Sequence, residues 1–367
     1  MSTRTVDEQA TPDVLADAVD GRASEGLDLG ALRAMVRQRD LARVRGWRNL
    51  VHMVLELALY AALAALGRAV DELWAWVPLW IAMGFLFLSC GGIIHETTHG
   101  HLYRARWANK LAGTLAGMVL LFPWGTYRAY HIEHHASTAT KDDPEGVPVA
   151  FGSKLEFLLM PLGGLYTLVQ LNWYTARTLV GRPPRWVRTR GQRRDIYRSA
   201  AAVAAFLALV ITGAVVAPAL LFDVWLVPVL VAMFVAYPLI FLPEHAWGEP
   251  GPTLTHTRTT TSNRLLSWVY WNNNYHAVHH LIPTVVHQHV PELSHHLRPY
   301  QTGDWWNESY LRFTWRRFRS VPALPGRGRT GGDDVVVDLR DDHEVVIDLR
   351  DGVDQASATS SRASGEK

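Results

Sequence analysis

The chain has 367 residues, 49% of them hydrophobic and 19% charged, a balance that places part of it in lipid. A formal net charge of +2 and the lack of a basic aromatic stripe argue against a nucleic-acid partner. One cysteine, Cys90, excludes an intrachain disulfide and a thiolate metal cage; set in an apolar run, it reads as an inert buried thiol.

Residues 1–45 read as a flexible cytosolic arm. Their polar, acidic start lacks the charged head, apolar core and cleavage site of a signal peptide. A membrane domain is expected over 46–320 and a flexible tail over 321–367. In that tail VVVDLRDD (335–342) is nearly repeated as VVIDLRDG (345–352). An exposed hairpin or a docking peptide would both fit, and two copies are too few for a repeat fold.

A membrane-spanning helix needs about 20 mostly apolar residues. Four runs qualify: 50–67, 73–94, 199–222 and 224–243. Two weaker stretches, 111–124 and 155–173, are short or contain Gly and Pro, and read as re-entrant or interfacial pieces. The links within the two pairs carry only Arg68 and no basic residue, respectively. The stretch before the first run, the long central segment and the segment after the fourth are rich in Arg and Lys. The positive-inside rule therefore places both termini and the central segment in the cytoplasm. Trp74, Trp76, Trp80, Trp124, Tyr127 and Trp173 near helix ends suit interface anchoring. The expected fold class is an all-α integral membrane protein, with four transmembrane helices as two hairpins under a cytoplasmic helical cap.

With that topology every histidine-rich stretch falls on one side: HETTHGH (95–101), YHIEHH (130–135), PEHAWG (243–248) and NNNYHAVHH (272–280). Residues three and four apart share a helical face. His95 thus projects with His99, His131 with His134 and His135, and His276 with His279 and His280. A lone histidine such as His52 reads as a core residue. Clustered imidazoles are different: they repel when protonated and are costly to desolvate alone, so a metal is the natural compensation. Eight ligands exceed what one tetrahedral zinc can use. With His245, at the end of the fourth run, nine could serve two metals with four or five imidazoles each. Glu96, Glu133, Asp143 and Glu244 are placed to accept hydrogen bonds from the outer ring nitrogens. Asp142 and Glu145 could do the same or be ordinary solvated acids.

HETTH alone has the spacing of a zinc protease, with the Glu as general base. That reading leaves the other histidines without a role. A metal transporter fits less well, because the histidines lie outside the lipid core at one face.

HETTH, HIEHH and HAVHH, in this order and with this helix pattern, resemble the membrane fatty acid desaturase superfamily over roughly residues 45–300. HHASTATKDDPE (134–145) is similar to that family's second histidine box, and TRTTTSNRLLSWVYWNNNYHAVHHLIPTVVHQHVPEL (257–293) to its third-box region. The resemblance implies a non-haem di-iron centre held by His95, His99, His131, His134, His135, His276, His279 and His280, with His245 as the family's extra ligand. His101, His256, His287, His289, His295 and His296 fall outside the motif and read as structural or surface residues. It also implies desaturation of an unactivated acyl chain with O2, chemistry that side chains cannot supply alone. Hydroxylation or ketone formation on a lipid, carotenoid or specialised metabolite is the alternative. The tails show no haem- or cluster-binding pattern, so electrons are expected from a separate ferredoxin or other reductase. Arginine-rich faces at 182–198 and 312–319 could receive it or bind lipid headgroups. The apolar substrate is expected to enter from the membrane past WVYWNNNY (268–275).

Overall fold

The computed structural model describes residues 27–138, 140, 142–145, 151, 153–246, 254, 257–301 and 305–323. The near-repeat at 335–352, residues 1–26 of the arm and His256 lie outside them.

Helix α1 (Leu29–Gln38) falls within the stretch expected to be a flexible arm. Asp28 caps it by accepting from the Ala31 N–H (2.9 Å), and Leu29, Leu32 and Val36 recur at helical spacing. Leu32 and Val36 are buried with Val278, Ile282 and Leu293, so the folded part begins well before residue 46.

Helices α2 (Gly46–Val70) and α3 (Leu73–His99) form the first hairpin, each long and apolar enough to cross a bilayer. Asp71, in the left-handed conformation at φ 53°, ends α2. The second helix continues past the apolar run, so His95 and His99 stand on the last turns of a spanning helix. Two further helices follow, α4 (Arg106–Val119) and α5 (Trp124–Ser137). They cross at Gly113, where a side chain would collide with Trp124 and Thr97; the Trp124 indole N–H donates to Thr97 Oγ1 (2.9 Å).

The stretch expected to be interfacial, 155–173, becomes α6 (Lys154–Leu159) and α7 (Gly163–Leu179), which leave Leu158, Leu162, Tyr166, Val169 and Trp173 exposed. Of the expected interface anchors, Trp74 and Trp173 are exposed, whereas Trp76 and Trp124 are buried in the protein.

Helix α8 (Arg190–Val216) starts earlier than the apolar run beginning at 199, because Thr189 and Gln192 form a capping box. Its polar first turns belong to the histidine-bearing end of the bundle. There Asp195 accepts from Lys110 Nζ (2.7 and 2.8 Å), and Gly125 lies so close to the Asp195 carbonyl that no Cβ would fit. The helix ends at Val216, not at 222, because the residue before a proline is steered out of the helical region; Ala217 sits at φ −145°, ψ 60°.

Helix α9 (Pro218–His245) completes the second hairpin and the four long apolar helices of the described residues. It widens into π turns at Phe222–Leu226 and Ala232–Ala236, each ending two residues before a proline. Pro228 has no N–H to give to Val224, and its ring pushes that carbonyl away. The Tyr60 hydroxyl donates to the freed Val224 oxygen (2.6 Å) and so ties the hairpins together.

The remaining segments form a cap. Strand β1 (Thr259–Thr260) is followed by helices α10 (Arg264–Val269), α11 (His276–Leu281) and α12 (Val290–Leu297), then strand β2 (Trp306–Asn307) and helix α13 (Tyr310–Ser320). The strands pair in parallel, Thr259 with Trp306 and Thr260 with Asn307, a small exception to the all-α expectation.

Candidate metal centre

The histidines reach one place from four kinds of support. His95 and His99 come from the end of α3, and His131, His134 and His135 from α5. His245 comes from the last residue of α9, and His276, His279 and His280 from α11. The lead-in to α11 is held by unusual backbone. Trp271 and Asn272 both adopt positive φ (54° and 56°), which costs a non-glycine residue about 1–2 kcal/mol each. Side chains fix the turn: Asn272 Nδ2 donates to the His287 carbonyl (3.0 Å), Asn273 Nδ2 to Tyr270 (2.9 Å) and Asn274 Nδ2 to Thr260 (2.8 Å). The run of three asparagines is thus a clamp that aims α11.

The nine ring systems divide into two groups. His95, His99, His131, His135 and His279 each offer a nitrogen within 4.8 Å of the others. His134, His245 and His280 make a second set, and His245 and His276 a third with Glu244. His276 Nε2 lies 3.0 Å from His280 Nε2, which joins these last sets into one group of four imidazoles. In the first group, His135 Nε2 is 3.0 Å from His131 Nε2 and 3.1 Å from His279 Nε2.

These spacings fit metal ions. Two metal–nitrogen bonds of about 2.1 Å at right angles place their nitrogens about 3.0 Å apart. The Nε2 atoms of His95, His99 and His134 are buried without a hydrogen-bond partner, a costly state that a shared cation relieves.

The acids behind the rings set the tautomers. His95 Nδ1 donates to Glu96 Oε1 (3.1 Å), His134 Nδ1 to Asp143 (2.8 Å) and His131 Nδ1 to Glu145 (3.1 Å). A neutral ring that donates through Nδ1 in this way keeps the Nε2 lone pair for a metal. Burial, reinforced by neighbouring imidazoles, holds His131, His135, His276, His279 and His280 well below the ordinary histidine range. They are therefore neutral, the form that binds metal. His134 differs: burial works against its charge, but Glu145 and Asp143 raise it above the ordinary value. Burial in turn lifts Glu145 to about 7.

Of the expected acceptors, Glu133 faces elsewhere and Glu244 is shared with two tyrosines. Glu133 forms an ion pair with Arg188 (2.9 Å) and touches none of the rings through a hydrogen bond. It is next to His134 and two residues past His131, so on the helix it points about 100° and about 200° away from them. Glu244 accepts from the hydroxyls of Tyr270 (3.2 Å) and Tyr310 (2.9 Å), although its carboxylate remains beside His245 and His276. Asp142 pairs with Arg185 at the surface, whereas Glu145 is buried against the centre. Two supports were not foreseen. His101 Nδ1 lies 3.4 Å from Glu96 Oε2, and Tyr127 stacks on His131 with centroids 5.2 Å apart. The HETTHGH spacing carried a signal for the first, because His101 follows Glu96 by five residues around the helix end. Exchanging Glu133 for Gln should leave metal content unchanged, whereas Asp143→Asn should weaken metal binding roughly 10–100-fold; chelator titration of the two purified variants checks both.

His52 and His287 stay apart from these groups. His52 stacks between Trp268 and Trp271 at 4.6 and 4.0 Å, with Glu56 Oε1 3.1 Å away. His287 lies 3.1 Å from Asn49 Oδ1, and burial lowers it to about 4. Within the 268–275 stretch Trp271 is fully buried, and two apolar cavities lie among α2, α3, α4, α8 and α9.

Four membrane-crossing helices beneath two convergent histidine groups define a multi-pass membrane protein with room for a pair of metal ions. A family model for fatty acid desaturases matches residues 72–311, and the chain belongs to that family of O2-dependent oxidoreductases. It is 23% identical over 277 residues to a chloroplastic omega-3 fatty acid desaturase of Glycine max, covering 69% of this chain and 61% of that protein. It is 22% identical over 319 residues to the probable fatty acid desaturase DES1 of Sorghum bicolor, covering 77% and 78%. To a chloroplastic sn-2 acyl-lipid omega-3 desaturase (ferredoxin) of Helianthus annuus it is 23% identical over 318 residues, covering 76% and 68%.

Proposed function

We propose that the chain desaturates the acyl chain of a membrane lipid at a non-haem di-iron centre. The observation that carries this reading is the division of nine buried imidazoles into groups of five and four, with nitrogens at ligand spacing. His95, His99, His131, His135 and His279 would hold one iron, and His134, His245, His276 and His280 the other. When bound, the irons and O2 supply the oxidant for an unactivated C–H bond, which no side chain provides. The protein's part is to keep His131, His135, His276, His279 and His280 neutral, orient rings through Glu96, Asp143 and Glu145, and wall the site from water.

Reduction of O2 to two waters takes four electrons. Two come from the acyl chain as it loses two hydrogens, and two from outside. The sunflower relative carries ferredoxin in its name, and a small acidic iron–sulfur protein suits the arginines of this end of the molecule. Arg312 and Arg319 on α13 are exposed candidates for that contact. The Lys/Arg distribution supports a cytoplasmic centre and cytoplasmic termini.

The test is product analysis with purified protein in lipid bilayers, given ferredoxin, its reductase and O2. Acyl chains that lose two hydrogens without gaining oxygen support desaturation. Chains that gain a hydroxyl or ketone oxygen would replace it with the hydroxylase or ketolase alternative.

A further inference from the structure

Two cavities outside the histidine site run into each other along α2. One, of about 850 Å³, lies at the end of the bundle that carries the histidines and is lined by Arg43, Arg45, Trp47, Tyr103, Arg104 and Trp107. The other, of about 730 Å³, lies deeper among the spans and is walled mostly by apolar residues such as Leu57, Phe87, Val119, Leu221 and Trp225, with buried Glu56 accepting from the Ser89 hydroxyl at its edge. Leu50, Met53, Ala112 and Leu115 line both, so they form one groove with a basic mouth and an apolar body.

The dimensions and chemistry match one lipid molecule. Along α2 the groove runs from Arg45 to Tyr60, which at 1.5 Å per residue is about 22 Å. One leaflet of a bilayer, headgroup included, is about 20–22 Å thick. Arg43 has Asp40 at 3.6 Å, but among the described residues Arg45 and Arg104 have no acidic partner. Trp47 and Trp107 flank the mouth at 66% and 71% exposure, the usual placement of indoles at the headgroup level. Helices α2 and α4 both begin at this mouth without a side-chain cap, adding two positive dipole ends.

From this we infer that the groove is a binding site for one anionic phospholipid, with its phosphate at Arg43, Arg45 and Arg104 and an acyl chain in the apolar body. Three guanidinium groups with a single acid repel the ammonium of a zwitterionic headgroup. A lipid such as phosphatidylglycerol, with a phosphate and no cation, is therefore the preferred occupant. The site does not depend on the proposed reaction, and its test reads lipid retention instead of turnover.

The full chain would be released from bilayers of equal phosphatidylglycerol and phosphatidylcholine into mild detergent, and its retained lipids counted by native mass spectrometry. The wild type should retain phosphatidylglycerol over phosphatidylcholine by about tenfold, and Arg45→Gln with Arg104→Gln should bring the ratio near one. Arg104→Gln alone, at an exposed position, should give an intermediate ratio and guards against misfolding of the double variant. No preference in the wild type, or one unchanged in both variants, overturns the proposal. Displacement of the preference by inorganic phosphate alone would also overturn it, by assigning the arginines to free anions.

Discussion

Alanine at His135 is expected to empty both metal positions, not one. Its Nε2 stands 3.0 Å from His131 Nε2 and 3.1 Å from His279 Nε2, at the middle of the five-membered group. Its ring also stacks on His280 of the other group, at 4.3 Å between centroids and 23° between planes. Truncation therefore removes a ligand from one metal and the packing surface that orients a ligand of the other. Loss of an outer acceptor typically weakens a metal about 10–100-fold, and loss of a central ligand should exceed that. Metal content per purified chain should fall from about two to near zero, with no desaturated product. His287→Ala is the control: this histidine is as buried as the others, but it belongs with Asn49 and Trp271, and metal should remain. A single zinc that survives both His135→Ala and His279→Ala but is lost in His95→Ala would instead restore the protease reading of HETTH.

Trp271→Ala should be the most destabilising change away from the ligands, by about 3–5 kcal/mol. The indole is fully buried and fills the space over Gly92, which has no side chain to obstruct it. Its Nε1–H donates to Ser89 (3.0 Å), and one face stacks on His52. Its backbone is already held at positive φ, so removal of the packing leaves the strain without its compensation. Thermal unfolding in detergent should show a large fall in midpoint for Trp271→Ala and a smaller one for Trp271→Phe, which keeps ring packing but loses the N–H. Equal midpoints for alanine and wild type would mean that the turn is held by the asparagines alone.

The spans and the clustered histidines were legible in the sequence because each rests on local periodicity. Apolar runs of sufficient length mark a membrane helix wherever they occur, and HxxxH or HxxHH puts imidazoles on one helical face. The boundaries were less legible. Where α8 begins depends on the Thr189 capping box and where it ends on Pro218, and neither alters the apolar run. The acids behind the ligands were hardest, since their partners lie across the fold. Glu133 sits between two ligands in sequence yet turns to Arg188, whereas Glu145, ten residues past His135, folds back onto His131 and His134. The asparagine clamp was visible as letters, but its role depends on partners such as His287 and Thr260, which only the folded chain brings near.

The order in which the ligands occur along the chain also constrains how the protein matures. Until α11 has been made, the five-imidazole group lacks His279 and the four-imidazole group lacks both His276 and His280. During synthesis the first hairpin, α4 and α5 emerge with their histidines long before α9 and α11 can close over them. Neither group is complete until the second hairpin and the asparagine turn have been made. A chain that stalls just before residue 276 carries six of the nine imidazoles, with both groups incomplete.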